Sequence, residues 1–434
     1  MYKLLKKIAS QRQILGRYSN INFNVNVRTF LSQAYYCQEV WDRRLNSPIL
    51  QKVNLDDLYY ELESRFLKTR QVSAVEVDIF ANAVTDDTFV DELLDILYKL
   101  RLTADTGNTL NSTSHAVVRA LLRCGKKDDL LNTLDDRLNY GLFLDYYTAN
   151  LLMDSFYKSS DYASGARVAS QLMLQEEYEH PITHSFALLH CYNYLLKPEG
   201  WPIPTPPEEP EEEVKVRVKF LRNPFDDDHF DLRDPKKIVG KTLAMFNKAK
   251  NDPLSNSFSI LGWALFGKLD KVEEFVTSCK KDNIVLYKEI IDLIPDDESI
   301  KNIVSEIKTQ SMDISKHLIS ELEKVVQTQS ERDIAEQCEV FSKWESQRVQ
   351  ALEDQKEKLS RAKRLETLEN LKKSMQEKET KLWFFENEEK IELEIEAGLE
   401  KMVAPKTKKK VVKEEQNYVP PEVWSKQRNP NNWA

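Results

Sequence analysis

The chain has 434 residues, 41% hydrophobic and 31% charged, which is enough apolar material for a sizeable core and roughly two or three units. Ten glycines among so many charges point to helix, and a net charge of −9 excludes a uniform nucleic-acid coat, so any RNA contact has to come from local basic patches. Five single cysteines without CxxC spacing indicate a reducing compartment with no disulfide frame or structural zinc, and no run of about 18 apolar residues predicts a membrane span.

From Met1 to Gln38 there is no acidic residue. Lys3, Lys6, Lys7, Arg12, Arg17 and Arg28 are spread along this stretch, and Leu4, Leu5, Ile8 and Leu15 can share a helix face. This is the composition of a mitochondrial presequence over residues 1–31, with RTFLS from Arg28 to Ser32 resembling a matrix-peptidase cut site. It predicts a mitochondrial matrix protein; a disordered basic arm is the alternative.

Helical repeats are expected over residues 32–197. Leu55 to Leu100 reads as three helices, the last carrying the stripe Leu93, Leu94, Leu97 and Leu100, and a polar loop follows from Thr103 to Asn111. The clearest signal is Tyr140 to Glu177. Ala149, Leu152, Met153 and Phe156 line one helix; Ala166, Val168, Ala169, Leu172 and Met173 line a second; Lys158 to Asp161 is the polar break, with Asp161 as N-cap. Two such helices cannot bury both faces alone, so copies must stack on either side. Stepping by 35 from Thr148 reaches Thr113 and Thr183, and the break at Lys158 falls on Arg123.

Residues 198–235 read as a Pro-rich acidic insertion, WPIPTPPEEPEEE, followed by VKVRVKFLR with a period of two. There Lys215, Arg217 and Lys219 would offer a basic strand face to phosphate; a solvated linker is the other reading. Degenerate helical repeats continue over residues 236–295, with Gly267 and Lys268 as a break. Residues 296–402, without Gly or Pro before Gly398, predict a long charged helix or helical hairpin. Cys338, Leu352 and Leu359 share one heptad position and Phe341 and Ala362 another, but Glu345, Arg348 and Gln355 interrupt the seam, so this helix is expected to lie on a partner. The tail, residues 403–434, places Lys408, Lys409 and Lys410 near Tyr418, Trp424 and Trp433, which suits phosphate attraction with base stacking; a solubilising tail is the alternative.

No catalytic constellation emerges: there is no Walker loop, GxGxxG, GxSxG or HEXXH, and neither catalytic residues nor a cofactor are expected. His180, His184, His190 and Cys191 have metal-ligand spacing on paper, but Pro181 intervenes and the others fall at core positions, so helix packing is the expected role. The DDDHFD run from Asp226 reads as solvated. No metal site is expected.

Thr148, Asn150, Asp154, Phe156 and Lys158 together resemble the pentatricopeptide consensus, whereas the tetratricopeptide Trp, Leu-Gly and Tyr signature is absent. In pentatricopeptide arrays two side chains per repeat contact one RNA base. By that resemblance the base-facing residues are His115, Asn150 and Ser185, with Asp145 and His180 as partner positions. The pairs His115 with Asp145 and Asn150 with His180 match no standard base-reading pair, so the resemblance implies RNA contact through shape and phosphate.

Taken with the presequence, the short array and the charged helical tail, YGLFLDYYTANLLMDSFYK resembles the pentatricopeptide-type family numbered twenty-seven in the mitochondrial ribosomal small subunit, most closely over Ser32 to Leu196. The resemblance implies an all-α helix-turn-helix solenoid and a non-enzymatic component of mitochondrial translation that binds small-subunit rRNA and other small-subunit ribosomal proteins. A free mitochondrial RNA-binding factor for transcripts and a protein-only repeat adaptor are the competing readings.

Overall fold

A computed structural model describes residues 30–202, 234–248, 250–282, 284–295, 303 and 307–403. Three helices open the array, α1 (Leu55–Thr69), α2 (Ala74–Ala83) and α3 (Val90–Arg101). Helix pairs follow: α4 (Asn111–Arg123) with α5 (Lys127–Asp135), α6 (Tyr146–Lys158) with α7 (Tyr162–Leu174), α8 (Pro181–Leu196) with α9 (Pro235–Phe246), and α10 (Pro253–Phe266) with α11 (Leu269–Lys281). Helices α4, α6 and α8 begin at successive steps of 35 residues, and α5 and α7 are one such step apart. The fold is an all-α helical-repeat solenoid.

Local chemistry sets these boundaries. Asp145 and Asp161 accept from Thr148 N and Ser164 N at 2.7 and 3.2 Å, satisfying donors that the first turns of α6 and α7 would leave open. Pro starts α8, α9 and α10, where its missing N–H costs nothing. The first helices close alike: Gly125 and Gly267 take φ of 69° and 89°, and Lys126 N and Lys268 N bond back to Leu121 O and Trp263 O at 3.0 and 3.1 Å. Ser160, at φ 58°, fills the same place after α6, with Asp161 N on Phe156 O at 2.8 Å.

Small residues set the helix spacing. A Cβ on Gly262 of α10 would stand 2.5 Å from Gly240 O and 2.6 Å from Ala244 N of α9, so these backbones approach more closely than alanine allows. Gly165 of α7 similarly makes room for the His190 ring of α8. One apolar core runs from Phe30 through the repeats to Trp344. Phe30 and Leu31 belong to it: the Phe30 ring lies 4.8 Å from Tyr157 and 5.9 Å from Phe186, so the expected presequence boundary at residue 31 runs through a packed segment.

The expected strand from Val214 lies outside the described residues. Two other strands, β1 (Leu286–Tyr287) and β2 (Thr309–Gln310), pair in parallel, a two-residue contact too short for sequence periodicity to reveal. Where a long helix or hairpin is expected, residues 314–403 form one helix, α12 (Ile314–Val403). The described residues up to Asp354 make one compact unit and those from Gln355 another. In the first unit α12 buries Ile314, Leu318, Leu322, Val326, Asp333, Gln337, Trp344 and Arg348. In the second it exposes Leu365, Leu368, Leu371, Met375, Leu382 and Phe385.

Candidate RNA and protein interface

Asn150 sits mid-way along α6 on the face expected to read a base, and it is fully buried. Its Nδ2 donates to the Tyr35 hydroxyl at 3.0 Å and its Oδ1 accepts from Thr183 Oγ1 at 2.8 Å. The Tyr35 hydroxyl in turn donates to Asp333 of α12 at 2.8 Å, and His180 Nε2 stands 3.2 Å from the same carboxylate. Burial favours the neutral acid at Asp333, but the bonds from His180, Tyr35 and Gln329 outweigh it and hold the carboxyl below its usual range. Asn150 therefore joins the N-terminal turn, the next repeat and α12, and no base can reach it in this arrangement.

His115 on α4 is enclosed as well, with Trp41, Phe341 and Trp344 rings at 4.9, 5.3 and 5.0 Å. Its Nε2 accepts from Arg119 Nε at 2.9 Å, and burial depresses its pKa despite Asp145. Ser185 on α8 is 8% exposed and spends its hydroxyl on Pro181 O at 3.1 Å. The expected base-reading row His115, Asn150 and Ser185 thus packs against the chain itself. The reason is that polar residues on an inner helix face are satisfied equally by a base or by an intramolecular hydroxyl. Asp145 and His180, the expected partner positions, cap α6 and α8. Lys215, Arg217, Lys219, Lys408, Lys409 and Lys410 lie outside the described residues.

What closes the inner face is the short helical segment after Phe30 and the first part of α12. His317 lies beside Tyr287, Asp333 beside His180, Phe341 and Trp344 beside His115, and Arg348 Nε pairs with Asp78 of α2 at 2.6 Å. Ala351 and Leu352 then pack with Val75 and Ile79. Over roughly 50 Å at 1.5 Å per residue, α12 passes the first helices in reverse chain order. Sequence reading missed Tyr35, Trp41 and Asp333 and took Arg348 only as a break in the heptad, which was the available signal.

The histidines with metal-like spacing diverge. His190 Nε2 meets Met153 O at 2.9 Å and burial lowers its pKa to about 4; burial and Lys250 lower that of His184 to about 3. Among the described residues no three His, Cys, Asp or Glu side chains group to hold a metal, and no helix is long and apolar enough to cross a membrane. The DDDHFD run lies outside the described residues.

A stack of helical pairs whose inner face is bound by its own chain defines a helical-repeat protein. The family model of mitochondrial 28S ribosomal protein S27 matches residues 2–374. The chain belongs to that family: it is a mitochondrial small-subunit ribosomal protein, of a structural ribosomal family that is not an enzyme class. The match extends well past the solenoid into α12, beyond the stretch where the sequence resemblance is closest.

Proposed function

We propose that the protein is a structural component of the small mitochondrial ribosomal subunit in the matrix, binding small-subunit rRNA and neighbouring ribosomal proteins. The observation that carries this reading is the closure of the inner face at Asn150 by Tyr35 and Asp333. A transcript-selecting factor of the pentatricopeptide type needs that face open, so the closure favours the ribosomal role over a free RNA-binding factor. RNA contact then falls to phosphate-seeking surfaces. Within α12, Lys356, Lys358, Arg361, Lys363, Arg364, Lys372 and Lys373 are all exposed. Lys215, Arg217 and Lys219, with Lys408 to Lys410, supply further cations in the sequence.

Sucrose-gradient sedimentation of mitochondrial lysate, with and without magnesium chelation, tests the role. Co-migration with the small subunit is expected; RNase-sensitive lighter particles would indicate a free RNA-binding factor, RNase-insensitive ones a protein-only adaptor. Removing residues 403–434 should weaken RNA binding more at low salt than at high, with the log–log salt slope falling by about 0.7 to 0.9 per lost phosphate contact. Equal loss at both salts would assign the tail to protein docking.

A further inference from the structure

Beside the closed inner face the first unit keeps an open cavity of about 640 Å³, within the size range of small-ligand sites. It lies between the N-terminal ends of α4 and α6, the loop from Tyr140 to Asp145 that precedes α6, and the face of α12 from Asp333 to Trp344. Its charged lining is lopsided: Asp145, Glu177, Asp333 and Glu336 line it together with Arg101, and of these carboxylates Glu336 pairs with Arg332 at 2.8 Å and Asp333 meets His180 at 3.2 Å. Arg101 is already engaged, its Nε on Leu138 O at 3.0 Å and its Nη1 on Thr106 Oγ1 at 3.3 Å. Glu177 has no cation partner among the described residues, and burial together with the nearby Asp145 charge raises its pKa.

One buried donor in the wall is also unspent. Gln337, 6% exposed, has no partner for Nε2. His115, 2% exposed, accepts at Nε2 from Arg119, which leaves the ring proton on Nδ1 beside the Asp145 carboxylate, 3.6 Å away. Flat rings complete the lining: Tyr146, stacked on His180 at 5.3 Å, with Tyr147 and Trp344.

An occupant must therefore bring positive charge for Glu177, a planar group for the rings, and an acceptor for Gln337. A phosphate-bearing strand is repelled by the acidic lining. An apolar side chain would leave the Gln337 donor and the Glu177 carboxylate unsatisfied. A guanidinium offers five donors in a plane and stacks on aromatic faces, and the peptide carrying it supplies carbonyl acceptors. We propose that this cavity receives an arginine side chain presented on an extended segment of a neighbouring protein. That the neighbour belongs to the small subunit rests on the proposed function; the docking chemistry does not.

The test is fluorescence anisotropy with the full chain and a labelled, end-capped Gly-Arg-Gly-Arg-Gly peptide, its isosteric neutral citrulline counterpart, and a labelled oligouridylate. The arginine peptide should bind about tenfold or more tightly than the citrulline peptide, as a charge-assisted bond requires. Glu177→Gln and Gln337→Leu should each weaken it about fivefold or more with unchanged circular dichroism. Equal affinity for the two peptides, insensitivity to both folded variants, or oligouridylate binding that Gln337→Leu abolishes would each overturn the proposal. Failure of peptide binding in a protein that still co-sediments with the small subunit overturns this docking site alone. Arginine-specific binding by a protein that does not co-sediment upholds the site and overturns the ribosomal neighbour.

Discussion

Replacing Arg348 by Met should release the end of the docked stretch of α12. Asp78 on α2 is fully buried, and its carboxylate accepts from Thr113 Oγ1 at 2.9 Å, Asn82 Nδ2 at 3.1 Å, Ser112 Oγ and Arg348 Nε at 2.6 Å. Arg348 is the one cation in that set, and its side chain is 4% exposed. Removing it leaves a buried carboxylate held only by neutral donors, a loss of about 3–5 kcal/mol. The pair itself contributes far less net stability, because both ions had to be stripped of water. The double variant Asp78→Asn with Arg348→Met should therefore recover most of the loss, ending within about 1–2 kcal/mol of the parent. A multi-repeat chain need not unfold in one step, so the readout is native-state hydrogen exchange of amides between Asp333 and Leu352. A fall below about 1 kcal/mol in their opening free energy for Arg348→Met, or a double variant no better than the single, would refute the reasoning.

Tyr35→Phe removes the hydroxyl between Asn150 and Asp333, and exchange in α6 and α12 should report about 1–3 kcal/mol of lost protection. Gly262→Ala forces a Cβ to 2.5 Å from Gly240 O, so hydrogen exchange in α9 and α10 should show a loss of at least about 1–3 kcal/mol of protection, whereas Gly107→Ala, with nothing within 4 Å, should be tolerated. Stability should also fall on acidification. His190 and His184 have folded pKa values of about 4 and about 3, below the unfolded value of 6.5. The unfolded chain takes up protons first, so stability is complete above about pH 6.5 and is lost as pH falls toward 3–4, of order 3 kcal/mol for His190. The depressed carboxyls Asp145 and Asp333 add a separate loss at still lower pH. His190→Gln should flatten the pH 4–6.5 portion of a urea-midpoint profile; an unchanged slope would remove His190 as its cause.

The 35-residue step was legible because identical chemistry recurs at fixed places: Thr113, Thr148 and Thr183 in the first turns, and a positive-φ residue at Gly125 and Ser160. The occupant of the inner face was not. Asn150 bonds to Tyr35, 115 residues away, and nothing in a local pattern distinguishes that hydroxyl from a base. Arg348 read as a break in a heptad seam because a seam presumes a second helix alongside. The partners of α12 are instead successive helices of an array, each meeting it over a turn or so, and their polar side chains make Asp333 and Arg348 favourable where a coiled coil would want leucine. His180 shows the same limit: helix packing was the expected role, but nothing local indicated that its ring would cap α8 while facing Asp333.

In an ordinary solenoid each repeat touches only its neighbours, so stability adds up pairwise and the stack can bend or fray at any weak interface. Here α12 contacts α2 through Arg348, α4 through Phe341 and Trp344, the start of α8 through Asp333, and the Tyr287 strand through His317. Bending the array would have to break several of these together, because a continuous helix cannot lengthen to follow a splaying stack. The inner helices thereby exchange adaptability for a fixed arrangement. A reader of varied RNA sequences needs its repeats free to adjust to each base, whereas a part held at one place in a large assembly needs one shape. The buried Tyr35–Asn150–Asp333 connection is thus better understood as the lock on that arrangement than as the remnant of a reading site.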